Sequence, residues 1–151
     1  MRQLKLPEPL HGQWIWLREP DTRQETHLFF RRDFCVSEMP ASSEMWITAR
    51  TGFHLYVNGQ LCAIGPTANP TENSYVYCVD INYLIQVGNN HIAVQVFNAN
   101  SSLANFRKKP GGFWAQLQID GQPFIWTDED WKCLVPDCYL APGIIRGVGA
   151  P

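Results

Sequence analysis

Trp114 is the residue whose type and position most invite chemistry. It follows a long irregular stretch and stands beside Gln116 and Gln118, on the polar side of the alternating run Phe113 to Asp120. An indole placed there offers a flat apolar surface on which the C–H face of a sugar ring can lie. The ring hydroxyls then need donors and acceptors nearby. The stretch before Trp114 supplies Asn98, Asn100, Asn105, Arg107 and Lys108. The competing reading, and the one the pattern favours, is that this indole packs against another domain or a loop. Trp114, Asn98, Asn100, Arg107 and Lys108 are therefore the candidate carbohydrate or interdomain contacts. Trp114 is expected at the rim of the fold, its ring at least partly free.

Other chemistry is harder to find. There is no glycine-rich phosphate loop and no Gly-x-Ser-x-Gly elbow. His11, His27, His54 and His91 are scattered, and His54 and His91 fall on strands opposite core-facing neighbours. Fourteen acidic residues allow many carboxylate pairs, so their presence alone does not point to glycoside cleavage. The tightest group, Asp128-Glu129-Asp130, reads as a solvated turn, and no pair stands out as catalytic. Five cysteines lack the Cys-x-x-Cys spacing of a zinc site, and no acidic loop is a convincing calcium site. No cofactor or metal is expected. Without an export signal in the N-terminal residues, the thiols fit the reducing cytoplasm.

The elements that must position these residues are short strands. Thr26 to Phe34 alternates, with Leu28, Phe30, Arg32 and Phe34 on one side, which puts Arg32 at an edge or beside a carboxylate. Phe53 to Ile64 is split by Asn58-Gly59, the preferred two-residue hairpin loop. Further strands are predicted at 13–18, 45–50, 74–79, 91–97, 113–120, 123–126 and 130–134, with turns at 87–90 and 121–122. Asp80 is expected to cap one helical turn. No amphipathic helix of normal length is visible. Leu55, Val57, Ile92, Val94, Val96, Leu117 and Ile119 are the expected core, and the fold class is an all-β jelly-roll β-sandwich.

Length and composition agree. The chain has 151 residues, 45% hydrophobic and 17% charged, enough for one buried core and against disorder. Six Trp, 11 Gly and 11 Pro suit strands joined by turns. A formal charge of −2 argues against nucleic acid as a partner. No apolar run reaches the roughly 20 residues that would cross a bilayer. The expected organisation is a lead-in at 1–12, a sandwich at 13–135 and a Pro/Gly-rich tail or linker at 136–151.

The order of motifs has a further meaning. Trp14-Ile15-Trp16, Phe30-Arg31-Arg32-Asp33-Phe34, Leu55-Tyr56-Val57-Asn58-Gly59 and Gly65-Pro66 are followed by Tyr75-Val76-Tyr77 and Val79-Asp80-Ile81. Then come Val87 to Val96, Gly111 to Leu117 and Asp130-Trp131-Lys132. Over residues 13–134 this resembles the N-terminal β-sandwich of bacterial α-L-rhamnosidases of glycoside hydrolase family 78. More distantly it is similar to the sugar-binding domain of family 2 glycosidases. Both are galactose-binding-domain-like jelly rolls. The resemblance implies a non-catalytic module, because in those rhamnosidases the catalytic acids lie in a separate (α/α) barrel. Its implied partners are that barrel, on the same polypeptide, and rhamnose-containing or other carbohydrate. In family 2 enzymes, loops matching 67–73 and 98–112 can approach the active site. Here Asn98-Ala99-Asn100 stands where those enzymes often carry an acidic residue. A stand-alone carbohydrate-binding module and a ligand-free interaction domain are the alternatives.

Overall fold

The computed structural model describes residues 6–18, 25–66, 75–99 and 110–137. Among the described residues, nine strands form two antiparallel sheets: β1 (Glu25–Val36), β2 (Ser43–Ala49), β3 (Gly52–Val57), β4 (Gln60–Gly65), β5 (Tyr77–Asp80), β6 (Gly88–Ala99), β7 (Phe113–Ile119), β8 (Gln122–Trp126) and β9 (Lys132–Leu134). One sheet has the order β4-β3-β6-β1-β9 and the other β5-β2-β7-β8. Only β3–β4 and β7–β8 are neighbours both in sequence and in a sheet; the other connections skip strands or cross between layers, as in a jelly-roll sandwich.

Alternation drives the packing. β1 and β6 pair along their whole length, with Leu28 opposite Val96, Phe30 opposite Val94 and Arg32 opposite Ile92. Leu28, Phe30, Leu55, Val57, Ile92, Val94 and Val96 from this sheet meet Met45, Ile47, Phe113, Ala115, Leu117 and Ile125 from the other. Ile119 packs at the margin of that core. Arg32 lies beyond the reach of β9, which pairs only with residues 29–31. Its guanidinium takes Asp130 at 2.9 Å and Asp128 at 3.7 Å, so both halves of the expectation for Arg32 hold.

The Asn58-Gly59 loop has positive φ at both positions, 48° and 82°, as the hairpin demands. Asn58 adds a side-chain anchor. Its amide nitrogen donates to the Leu84 carbonyl and to Asn90, and its amide oxygen accepts from the His91 N–H.

Four local expectations need correction. Residues 13–18 are not a strand; only Ile15 pairs, with Phe113, because the flanking indoles turn into other contacts. Gly88 to Asn90 belong to β6 rather than to a turn: buried Asn90 folds its amide back onto the Gln86 N–H and carbonyl, closing the turn earlier. The turn after β7 uses Asp120-Gly121, with φ of 51° and 74°, one residue before the predicted place. The single 3-10 turn spans Asn82–Leu84, and its first flanking residue is Ile81; Asp80 instead accepts the Asn82 N–H.

Candidate functional site

Phe113, Ala115 and Leu117 point into the core, so Trp114, Gln116 and Gln118 point out of the sandwich. That outward face is nevertheless closed. Trp114 is 8% exposed, Gln116 0% and Gln118 8%. The cover is the chain's own N-terminal segment, which lies over β7 and β8 as a strap. The Gln116 amide accepts the His11 N–H at 2.7 Å and donates to the Pro9 carbonyl at 3.3 Å. The Trp114 indole N–H donates to the His11 carbonyl at 3.0 Å. The His11 ring stacks on Trp126, with centroids 4.6 Å apart. At Thr127, the Gln13 N–H meets the backbone carbonyl while the threonine hydroxyl donates to the Gln13 carbonyl.

The expectation of a partly free Trp114 ring is thus overturned. Strand alternation gave its direction correctly, but not the strap that covers it. Asn98 is also buried, 1% exposed, and accepts the Thr51 hydroxyl at 3.1 Å inside the fold. Asn100, Asn105, Arg107 and Lys108 lie outside the described residues, as do the loop 67–73 and Cys138. The structure therefore does not bring the five candidate contacts together into one described site.

Two open concavities stand out among the described residues. The larger, of about 570 Å³, lies against the five-stranded sheet and is lined by His27, Thr51, Phe53, His54, Ile64, Pro66 and Phe97, among others. Its walls are mostly apolar. Farther along the same outer face, Asp33 accepts from His91 Nδ1 at 2.6 Å and from Arg31 Nε at 2.9 Å. The bond from His91 first, and that from Arg31 second, hold the Asp33 carboxyl below its ordinary pKa.

The smaller concavity, of about 400 Å³, sits at the edge where the strap's continuation passes the turn between β8 and β9. Trp14, Trp16 and Trp131 line it, together with Arg18, Asp128 and Glu129. Each indole is held from behind. The Arg50 guanidinium lies 4.1 Å from the Trp14 ring centre. Trp16 tilts on Phe30, and Trp131 meets Phe113 edge-on while its N–H donates to the Trp126 carbonyl at 2.8 Å. Gly111 and Gly112 make the seats: a Cβ on Gly111 would fall 1.9 Å from Trp16, and one on Gly112 would fall 2.8 Å from Trp14. Cys133 borders the groove, and desolvation pushes its thiol pKa up, away from the reactive thiolate.

The groove was missed because Trp14-Ile15-Trp16 reads as a strand. The usable signal was the pairing of a Trp-x-Trp with a Gly-Gly, side chains in search of a surface without Cβ atoms.

The architecture has counterparts among solved structures. The crystal structure of a GH78 family rhamnosidase of Bacillus sp. GL1 superposes with a TM-score of 0.77 and 25% identity, over 83% of this chain and 13% of that one. This chain resembles one domain of that enzyme. Streptomyces avermitilis α-L-rhamnosidase, solved with L-rhamnose, gives a TM-score of 0.63 at 20% identity, over 83% of this chain and 12% of its own. A lectin from Pleurotus ostreatus, solved with GalNAc, gives 0.57 at 22% identity, over 82% of this chain and 36% of its own. The last two likenesses are of fold alone, and with them the sandwich is galactose-binding-domain-like. The chain spans about an eighth of the rhamnosidases it matches, 13% and 12% of their lengths. No protein-family model and no curated protein matches it.

Proposed function

We propose that this chain is a non-catalytic β-sandwich module of a rhamnosidase-like glycoside hydrolase. In this reading it packs on a catalytic (α/α) barrel of the same polypeptide and helps to shape access to carbohydrate. The observation that carries the reading is the Bacillus rhamnosidase likeness, a TM-score of 0.77 confined to 13% of that enzyme. The chemistry of the acids agrees with it. His91 and Arg31 hold the Asp33 carboxyl below its ordinary pKa, as an ionised group and not a proton-donating acid, while Arg32 pairs with Asp130 and Asp128. Cys35, Cys62 and Cys133 are thiols, which suits a reducing, cytoplasmic setting. No helix among the described residues is long and apolar enough to cross a membrane.

Two measurements test the reading. The reading frame beyond Pro151 is expected to continue into several hundred residues of helical periodicity; a stop codon directly after Pro151 overturns the module and leaves a stand-alone binding domain. The purified chain is expected to release no aryl alcohol from aryl α-L-rhamnosides. Turnover that disappears on changing one of its own carboxylates overturns the non-catalytic role.

A further inference from the structure

We infer that the groove of Trp14, Trp16, Trp131, Arg18, Asp128 and Glu129 is a binding site for one pyranose unit, with Trp14 as its stacking platform. The inference rests on the carbohydrate-related reading above and gives it a location. Trp14 is 41% exposed even though Arg50 lies against its ring, so much of the indole faces solvent. Trp131, 7% exposed, and Phe30, 3%, lie deeper. The walls are preorganised by their own contacts, so a ligand would not have to order them first.

The polar groups have capacity to spare. Among the described residues, no hydrogen bond or ion pair engages the side chains of Gln13, Arg18 or Glu129. Asp128 Oδ1 accepts only the Asp130 N–H within hydrogen-bond distance, 3.0 Å, leaving its second oxygen open. Carboxylates accept from vicinal hydroxyls, while a guanidinium and an amide donate to ring and hydroxyl oxygens. The alternatives fit less well. Two carboxylates repel a phosphate or other anion. Arg18 in the wall and Arg32 on Asp128 oppose a cation. Charged walls do not suit an acyl chain. A neutral polyhydroxyl ligand with one apolar face satisfies all of these at once. The volume, about 400 Å³, is near the small end of the range for ligand pockets, roughly 300–1,000 Å³, which favours one ring over a long chain.

The test is an NMR titration of the 151-residue chain with L-rhamnose, N-acetylgalactosamine and glucose, each taken to about 100 mM, since small shallow sites bind in the millimolar range. At least one sugar is expected to move the indole N–H signals of Trp14, Trp16 and Trp131, while those of Trp46 and Trp114 stay in place. Trp14→Ala should weaken binding about tenfold. Glu129→Gln and Arg18→Ala, on exposed side chains that do not hold the fold, should each weaken it about threefold to tenfold. Shifts confined to His54, Gln95 and Phe97 overturn this groove while leaving the carbohydrate reading intact. No shift with any sugar, or full affinity in all three variants, overturns the groove. The module reading is then judged separately by the reading frame beyond Pro151.

Discussion

The two sheets of this sandwich treat their outer faces in opposite ways. On the four-stranded sheet, Trp46, Thr48, Trp114, Gln116 and Gln118 all face away from the core, and all are buried. On the five-stranded sheet, His54, Tyr56, Gln95 and Phe97 are only half-buried, while Arg31, Asp33, Ile64 and His91 are exposed. Both sheets are antiparallel with one face on the core, an arrangement that ordinarily leaves the second face to water. Over Trp114 and Gln116 the difference lies in the strap, which turns that part of the solvent face into a second interior with a paired amide. Thr48, farther across the sheet, instead donates its hydroxyl to the Tyr75 carbonyl. An outward-pointing side chain is therefore not an accessible one, and the sheet that looked poised for a ligand is the sealed one.

Breaking the strap should have the largest effect. Removal of residues 1–12 strips the cover from Trp114 and the partners from Gln116, at an expected cost of about 3 kcal/mol or more. Urea unfolding would read this, and acrylamide quenching should show a newly accessible indole. Unchanged stability would mean that the two faces are alike in energy despite their difference in burial.

Gln116→Ala sharpens the comparison by keeping the strap and removing its central anchor. The His11 N–H and the Pro9 carbonyl would lose their partner, and about 1–3 kcal/mol should follow. A loss below about 0.5 kcal/mol would show that water replaces the amide and that the strap is held by its rings.

The smallest effect belongs to the open face. Asp33 has a lowered pKa, so its contribution is present above the unfolded value of about 4 and fades as pH falls through the lower, folded value. With both partners 40% or more exposed, solvent screening should hold that contribution under about 0.5 kcal/mol. Asp33→Asn should accordingly lower stability slightly at pH 6 and leave it unchanged near pH 2. A large loss at pH 6 would contradict a weakly organised outer face.

Much of the sandwich was legible because period-two alternation is a local signal. Leu55, Val57, Ile92, Val94, Val96 and Leu117 needed only their neighbours to be assigned to the core, and Asn58-Gly59 needed only its own backbone preferences. Arg32 could be read as paired because an unpaired buried charge costs too much. The strap was not legible. Leu6 to Gly12 has no periodicity, and its hydrogen bonds go to residues far along the chain. For the same reason the alternation of β7 shows the direction of Trp114 but not its burial. Trp14 and Trp16 read as strand residues because aromatic, β-branched runs usually are strands, whereas here Gly111 and Gly112 draw both indoles out of the ladder.

The strap's contacts also set an order of events. They join positions 103 to 114 residues apart, nearly the whole described chain, while the hairpins β3–β4 and β7–β8 close over two residues each. Closing such a long loop gains little until the strands that receive it exist. The strap is therefore the last piece to dock and the first to leave. In hydrogen exchange, the amide of His11 and the indole N–H of Trp114 should report a partial opening at lower free energy than the amides of β1 and β6, which wait for global unfolding.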